Sequence, residues 1–441
     1  MFAGVKEQTE KKNGKKIAVG YDLGSVASQI SYCTLEEQRV ETVSSVAGTE
    51  QYNIPTVLCK RRGVNQWFYG KEALKYEREE DGILVGDLVE LAKRGEEVVV
   101  ETESYDPAAL LTLYVKRSLS LLSLHASLSQ IEVMMFTVEE LTPEMVDVLS
   151  KVVAGLSLQT KKVLFQSRAE SFYYYMLYQP KELWQNQVMI FDYSREMKSI
   201  CLECNPMTTP QVVLINSNIY PDMERVTFVR GESPEAEEER EQQEKELDEK
   251  FLQIVEAEME GSIFSTVYLL GDGFKEGWAR ESLRYLCRNR RVFQGNNLYS
   301  KGACYGAIGR VSPGGEGKKY VYLGADKLKS NVGMKVERRG EDSYFAILDA
   351  GQNWYEAAAD FEVILRKENS LFFHITPLTG ENITDKKIEL EGLPERPPCT
   401  TRLKIHVEME SVNQVTATIE DMGFGEFFPS SGKGWRKTIT V

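Results

Sequence analysis

The stretch Lys16-Ile-Ala-Val-Gly-Tyr-Asp-Leu-Gly-Ser-Val-Ala-Ser-Gln-Ile-Ser-Tyr-Cys33 decides the fold. An apolar run ends in an aspartate, a glycine turn with small hydroxyl residues follows, and a second apolar run leads away. That is the pattern of a β-hairpin with polar backbone at its tip. Successive N–H groups in such a turn form an anion-binding nest, and a carboxylate at a strand end can order water around a divalent cation. Asp22, Gly24 and Ser25 are therefore candidates for holding a phosphate and its metal. The same letters also make plain turn chemistry, and on this stretch alone both readings stand.

Composition bounds what the hairpin belongs to. A chain of 441 residues, 42% hydrophobic and 27% charged, reads as globular and long enough for about two to four domains. A formal charge of −14 leaves no basic face to neutralise phosphates along a nucleic acid. No apolar run reaches the roughly 18 residues of a membrane span. Lys11, Lys12, Lys15 and Lys16 precede only a short apolar strand, which is no signal-peptide core. The expectation is a cytoplasmic protein with neither nucleic-acid nor membrane partners. Seven scattered cysteines predict reduced thiols. The one CxxC, Cys201 and Cys204, lies in a strand-like run where residues three apart face opposite sides, which argues against zinc. His125, His374 and His406 are far apart and are read as structural.

Along the chain, residues 1–14 are expected to be disordered. Strand signals then cover Ile17–Tyr32, Val40–Val46, Asn53–Cys59 and Gln66–Gly70, before a short helix from Lys71 to Glu79. Asp106 and Pro107 predict the cap and first position of a helix running towards Leu124. Strand Ile131–Thr137, helix Thr142–Leu156, strand Lys162–Gln166, helix Glu170–Tyr178 and strand Gln187–Asp192 follow in alternation, which makes the class α/β. A second hairpin, Gln187–Glu203, again carries an aspartate at the end of its first strand. Ser233 and Pro234 open an acidic helix in which Leu247, Phe251, Val255 and Met259 recur every four residues, a solvated helix with one docked stripe. Strand Thr266–Leu270 breaks into the turn Gly271-Asp-Gly273, a helix spans Gly277–Arg288, and the small-residue run Asn296–Ile308 suits a helix packed closely on its neighbours. Ser312-Pro-Gly-Gly-Glu-Gly-Lys-Lys319 has linker composition. Beyond it, alternating runs at Phe361, Leu371, Leu403 and Val415 predict a separate all-β domain.

In this order the elements resemble the actin and sugar-kinase superfamily in its DnaK-type heat-shock chaperone form. Asp22-Leu-Gly-Ser25 resembles the first phosphate loop, Phe191-Asp-Tyr-Ser-Arg-Glu-Met197 occupies the second, and Leu270-Gly-Asp-Gly-Phe274 resembles the adenosine motif. Ile54-Pro-Thr-Val-Leu, Tyr69-Gly-Lys-Glu-Ala73 and Tyr305-Gly-Ala-Ile308 match further segments, and the runs from Ile388, Arg402 and Val415 resemble the chaperones' peptide-binding sandwich. The resemblance implies a two-lobed actin-like ATPase fold over 15–311, a linker over 312–330 and a β-sandwich over 331–441. It implies ATP or ADP with Mg²⁺ as cofactor: Asp22 and Asp192 as catalytic residues that also hold the metal through water, Gly24, Ser25, Ser194, Gly271 and Gly273 around the nucleotide, and Phe274 or Lys275 against the base. With the sequence read to Val441, the resemblance leads to the expectation of a sandwich without the helical lid.

Departures limit the chemistry carried over. Ser194, Arg195, Glu196 and Met197 stand where the family has glycines and a threonine, and Glu196 puts negative charge near a triphosphate. Ser167 replaces a metal-organising glutamate, with Glu170 about one helical turn away, and Lys71 and Lys75 lie near, but not on, the catalytic lysine position. In the sandwich, Tyr344, Phe345 and Trp354 around two turns are candidates for binding an extended peptide, against the reading of all three as core. The expectation is a DnaK-like nucleotide-binding scaffold or protein-binding module with weak or absent hydrolysis. The alternatives are an active ATP-dependent chaperone and an actin-like filament protein.

Overall fold

Strands Ile17–Asp22 and Ala27–Thr34 form the expected hairpin, with Asp22 opposite Gln29 at its turn end. In the computed structural model, which describes residues 15–37, 39–46, 48–160, 162–229, 231, 233–295, 297–312, 319–366, 369–378 and 383–441, this hairpin is the middle of a sheet. Glu41–Thr42 extends it on one side, and on the other Ile131–Val138 and Val163–Ser167 add in parallel. Every residue of Ile17–Asp22 is buried, as expected for a strand covered on both faces.

A second sheet repeats this plan. Gln187–Tyr193 pairs antiparallel with Glu196–Asn205, and that strand with Gln211–Glu224. On the other side Phe264–Leu270 and Arg291–Gln294 add in parallel. Both sheets thus read as an antiparallel meander whose first strand takes a parallel neighbour on its other edge and, beyond that, a second parallel strand, and in both an aspartate lies at or next to the carboxyl end of the first strand.

The helices form where the sequence places their caps. Asp106 accepts from the amides of Ala108 and Ala109 ahead of Pro107–Leu119. Ser233 accepts from Ala236 at 3.2 Å and opens Pro234–Met259, whose Leu247, Phe251, Val255 and Met259 are buried in the second sheet's core. The small-residue run becomes helix Leu298–Val311, packed into the first sheet through Ala303, Cys304, Ala307 and Ile308. Its approach is close. A Cβ on Gly302 would lie 1.9 Å from the Ser171 carbonyl oxygen of helix Arg168–Leu177, and one on Gly20 would lie 2.2 Å from the Cys304 amide nitrogen.

The tail is β, as expected. Four antiparallel strands, Glu341–Leu348, Ser330–Arg338, Ser370–Pro377 and Thr384–Glu389 in spatial order, share one apolar core with Ala358–Leu365, Thr401–Ser411, Gln414–Gly423 and Gly434–Thr440.

The chain divides into two compact units. The first collects the described residues of Met1–Glu139, Asp147–Gln179 and Gly295–Gly314, and the second those of Glu140–Val146, Pro180–Gln294 and Gly315–Val441. The division runs through the range 15–311, placing one α/β sheet in each unit. The disorder expected for 1–14 and most of the glycine-rich run, 313–318, lie outside the described residues. The rest of the 312–330 linker needs correction: Tyr320–Tyr322 adds to the second sheet in parallel beside Gln211–Val213, and Lys327 is buried and bridges to Asn353. Its Tyr-Val-Tyr alternation is strand chemistry that the adjacent glycines obscured. Val40–Val46 keeps only the two-residue strand Glu41–Thr42, and the helix expected over Gly277–Arg288 is Arg280–Leu286.

Candidate functional site

In the first unit, the Asp22 turn is pinned by its neighbours. The Leu23 amide donates to the Thr137 carbonyl at 2.8 Å, the Thr56 hydroxyl donates to the Gly24 carbonyl at 2.7 Å, and the Thr56 amide donates to the Val26 carbonyl at 3.0 Å. Ser25 is half-exposed at the tip. Asp22 itself faces inward, its side chain only 5% exposed.

What it faces is Arg168. Strand Val163–Ser167 ends beside the turn, and the Ser167 hydroxyl accepts from the Glu170 amide at 3.2 Å, capping the next helix and fixing Arg168 at its first position. Arg168 Nε lies 3.0 Å from Asp22 Oδ1 and Nη2 lies 3.2 Å from Oδ2, a bidentate fork. Nη1 lies 3.5 Å from a carboxylate oxygen of Glu139, and the guanidinium sits 4.9 Å from the Tyr299 ring centroid. Burial works against its charge, but Asp22 and then Glu139 outweigh that and hold the proton more tightly than on a free arginine. A Cβ on Gly24 would come 2.4 Å from the Ala27 carbonyl oxygen and 2.6 Å from Nη2.

Arg168 escaped the sequence reading, which weighed Ser167 and Glu170 on this segment. Its signal was the Ser-x-x-Glu cap, which starts the helix at 168 and returns that side chain to the strand ends. Glu170 is buried within the first helical turn. Lys71 donates to Gln51, and Lys75 pairs with Glu79 at 3.8 Å on the surface.

A hydrated divalent cation does not fit here. Both Asp22 oxygens already face a fixed positive charge, which repels a second cation brought to the same carboxylate. Among the described residues no group of three or more His, Cys, Asp or Glu is placed to hold a metal.

The second unit gathers the other candidates. Asp192 is buried and accepts from the Ser194 hydroxyl at 2.6 Å. Only Ser194 and Arg195 connect strand Gln187–Tyr193 to Glu196–Asn205, which makes a tight hairpin. Tyr193 donates its hydroxyl to the Glu224 carbonyl at 2.7 Å and lays its ring against the glycine turn. A Cβ on Gly273 would be 2.3 Å from that ring, and one on Gly271, whose φ is +90°, would be 2.5 Å from the Tyr193 carbonyl carbon. The close approach that these glycines permit is therefore taken by Tyr193. Phe274 is buried and stacks on Trp278 at 5.7 Å, and Trp278 donates to the Gly273 carbonyl at 2.7 Å. Lys275 pairs with Asp272 at 2.7 Å. The assignment of Phe274 to a base is corrected by its place in the core.

The three sandwich candidates do not share a surface. Tyr344 is 51% exposed and lies over Gly333, whereas its neighbour Phe345 turns to the other side of the strand and meets Phe361 edge-on at 5.2 Å. Trp354, 7% exposed, belongs to the core, a correction to its reading as a peptide contact.

Comparison with known families adds two matches. The model described as Family of unknown function (DUF5716) C-terminal covers residues 39–325, and Domain of unknown function (DUF8552) covers residues 327–441. Their join falls between strands Tyr320–Tyr322 and Ser330–Arg338. No curated protein matches the chain. Among the described residues no helix is long and apolar enough to cross a membrane.

Proposed function

We propose that this chain, which belongs to the Family of unknown function (DUF5716) C-terminal, is a DnaK-like scaffold: two α/β lobes of actin type carrying a β-sandwich that binds protein or extended peptide in the cytoplasm. The observation that supports this reading is the repeated sheet topology, with an aspartate at the corresponding strand end in each unit. In open α/β sheets ligands bind outside the carboxyl ends of the strands, which is where the superfamily takes ATP or ADP. The chemistry around those ends favours scaffolding over turnover. Asp22 is committed to Arg168, and the second loop is a two-residue hairpin backed by Tyr193. The sandwich offers Glu341–Leu348 at the end of its sheet, with its own Tyr344 exposed, the arrangement that lets an extended peptide add as a strand.

The test uses the full chain. Steady-state hydrolysis in Mg-ATP is expected to stay at the level of Asp22→Ala, and a peptide array is expected to show binding of extended apolar peptides that Tyr344→Ser weakens. Turnover abolished by Asp22→Ala or Asp192→Ala would establish the active chaperone instead. ATP-dependent pelleting would establish the filament reading, and an array without binding would remove the peptide-binding role.

A further inference from the structure

We infer that Arg168 is the resident cation of the Asp22 turn: its guanidinium holds the place beside this carboxylate that a hydrated divalent metal takes in metal-dependent phosphate loops. The inference rests on the reading above only in identifying that turn as the first phosphate loop.

Three observations carry it. First, the fork is bidentate, with 3.0 and 3.2 Å contacts spanning both Asp22 oxygens, so a metal or its bound water approaching either oxygen shares it with a fixed guanidinium charge. Second, the guanidinium is held in place. It projects from a helix start fixed by the Ser167 cap, rests over the Tyr299 ring and extends to Glu139 at 3.5 Å. Third, Gly24 leaves the guanidinium its space, since a Cβ there would come 2.6 Å from Nη2 as well as 2.4 Å from the Ala27 carbonyl oxygen of the turn itself.

The difference from a metal is chemical. An arginine is never deprotonated in a protein and cannot be chelated or exchanged. A divalent ion brought to Asp22 would meet this fixed charge and would share Asp22 and Glu139 with it. The turn therefore needs no metal for its structure and takes none up.

Mn²⁺ binding to the full chain, followed by its electron paramagnetic resonance signal, tests this without ATP or peptide, so failure of the scaffold reading and failure of this one are separate results. Wild type and Asp22→Asn are expected to bind Mn²⁺ equally, any uptake coming from the acidic surface. Arg168→Ala is expected to gain a site that Asp22→Asn in the same chain removes. Wild-type binding that Asp22→Asn abolishes would overturn the inference, as would a folded Arg168→Ala with no gain. If Arg168→Ala does not fold, Arg168→Lys, which keeps a charge but loses the fork, is expected to exclude Mn²⁺ as wild type does, and uptake dependent on Asp22 in that variant would overturn the inference.

Discussion

Asp421 shows what a fully satisfied buried carboxylate does in this chain. It lies near the end of strand Gln414–Gly423 with no exposed side-chain surface, and both its oxygens meet Arg396 at 2.8 Å. Ser431 donates through its amide at 2.8 Å and its hydroxyl at 2.6 Å, and the Gly423 amide donates at 2.9 Å. Arg396 first, then the Ser431 and Gly423 donors, hold its pKa well below the usual carboxylate range against the opposing effect of burial. A depressed pKa means that the unfolded chain binds the proton more readily. The stability is therefore present above the unfolded pKa of about 3.9 and lost as pH falls through the folded value. Asp421→Ala is expected to cost about 3–5 kcal/mol at pH 7, and the gap to wild type in urea denaturation should narrow between pH 5 and pH 2. A gap that ignores pH would contradict the assignment. Two glycines of helix Leu298–Val311 make a sharper pair. Alanine raises helix propensity by about 1 kcal/mol at either. At Gly302 its Cβ would overlap the Ser171 carbonyl oxygen, whereas at Gly309 it would meet the Tyr174 ring at 3.5 Å, an ordinary contact. Gly302→Ala should lower the urea midpoint, by about 1–3 kcal/mol in stability, and Gly309→Ala should leave it unchanged or raise it.

Among the elements, those whose signal is local were legible. Asp106 with Pro107 and Ser233 with Pro234 start helices through bonds made within a few residues, and the stripe from Leu247 to Met259 needs only the 3.6-residue period. The expected docking of Pro234–Met259 predicts a strong asymmetry: Phe251→Ala should cost about 3–5 kcal/mol, and Glu241→Gln on its exposed face should change stability by less than about 0.5 kcal/mol, both read by thermal unfolding. Elements defined by distant partners were not legible. Tyr320–Tyr322 is a strand because Gln211–Val213 lies beside it, and nothing local outweighs its glycine-rich approach. The candidate site divides the same way. The strand-end aspartates stand out by pattern, whereas Arg168 acts on a residue 146 positions earlier, and Tyr193 fills a glycine turn some 80 positions later. No window of sequence contains both members of either pair.

At the scale of the whole chain, alternating strands and helices followed by β-runs announced a mixed α/β protein with a β-rich tail. The division into units was hidden because the chain leaves the first unit and returns to it. Helix Leu298–Val311 contributes Ala303, Cys304, Ala307 and Ile308 to the cluster that buries Ala18, Cys33, Val133 and Met135. A chain ended at Gln179 should therefore lack a cooperative transition by circular dichroism in urea, and joining residues 295–312 to it should restore one. The returning helix also sets a clock for synthesis. At about 5–20 residues per second, translation from Pro180 to Val311 takes roughly 7–26 s. For that interval the nascent first sheet waits on the ribosome with one apolar face uncovered, so the newborn chain depends on being shielded from its neighbours until helix Leu298–Val311 emerges.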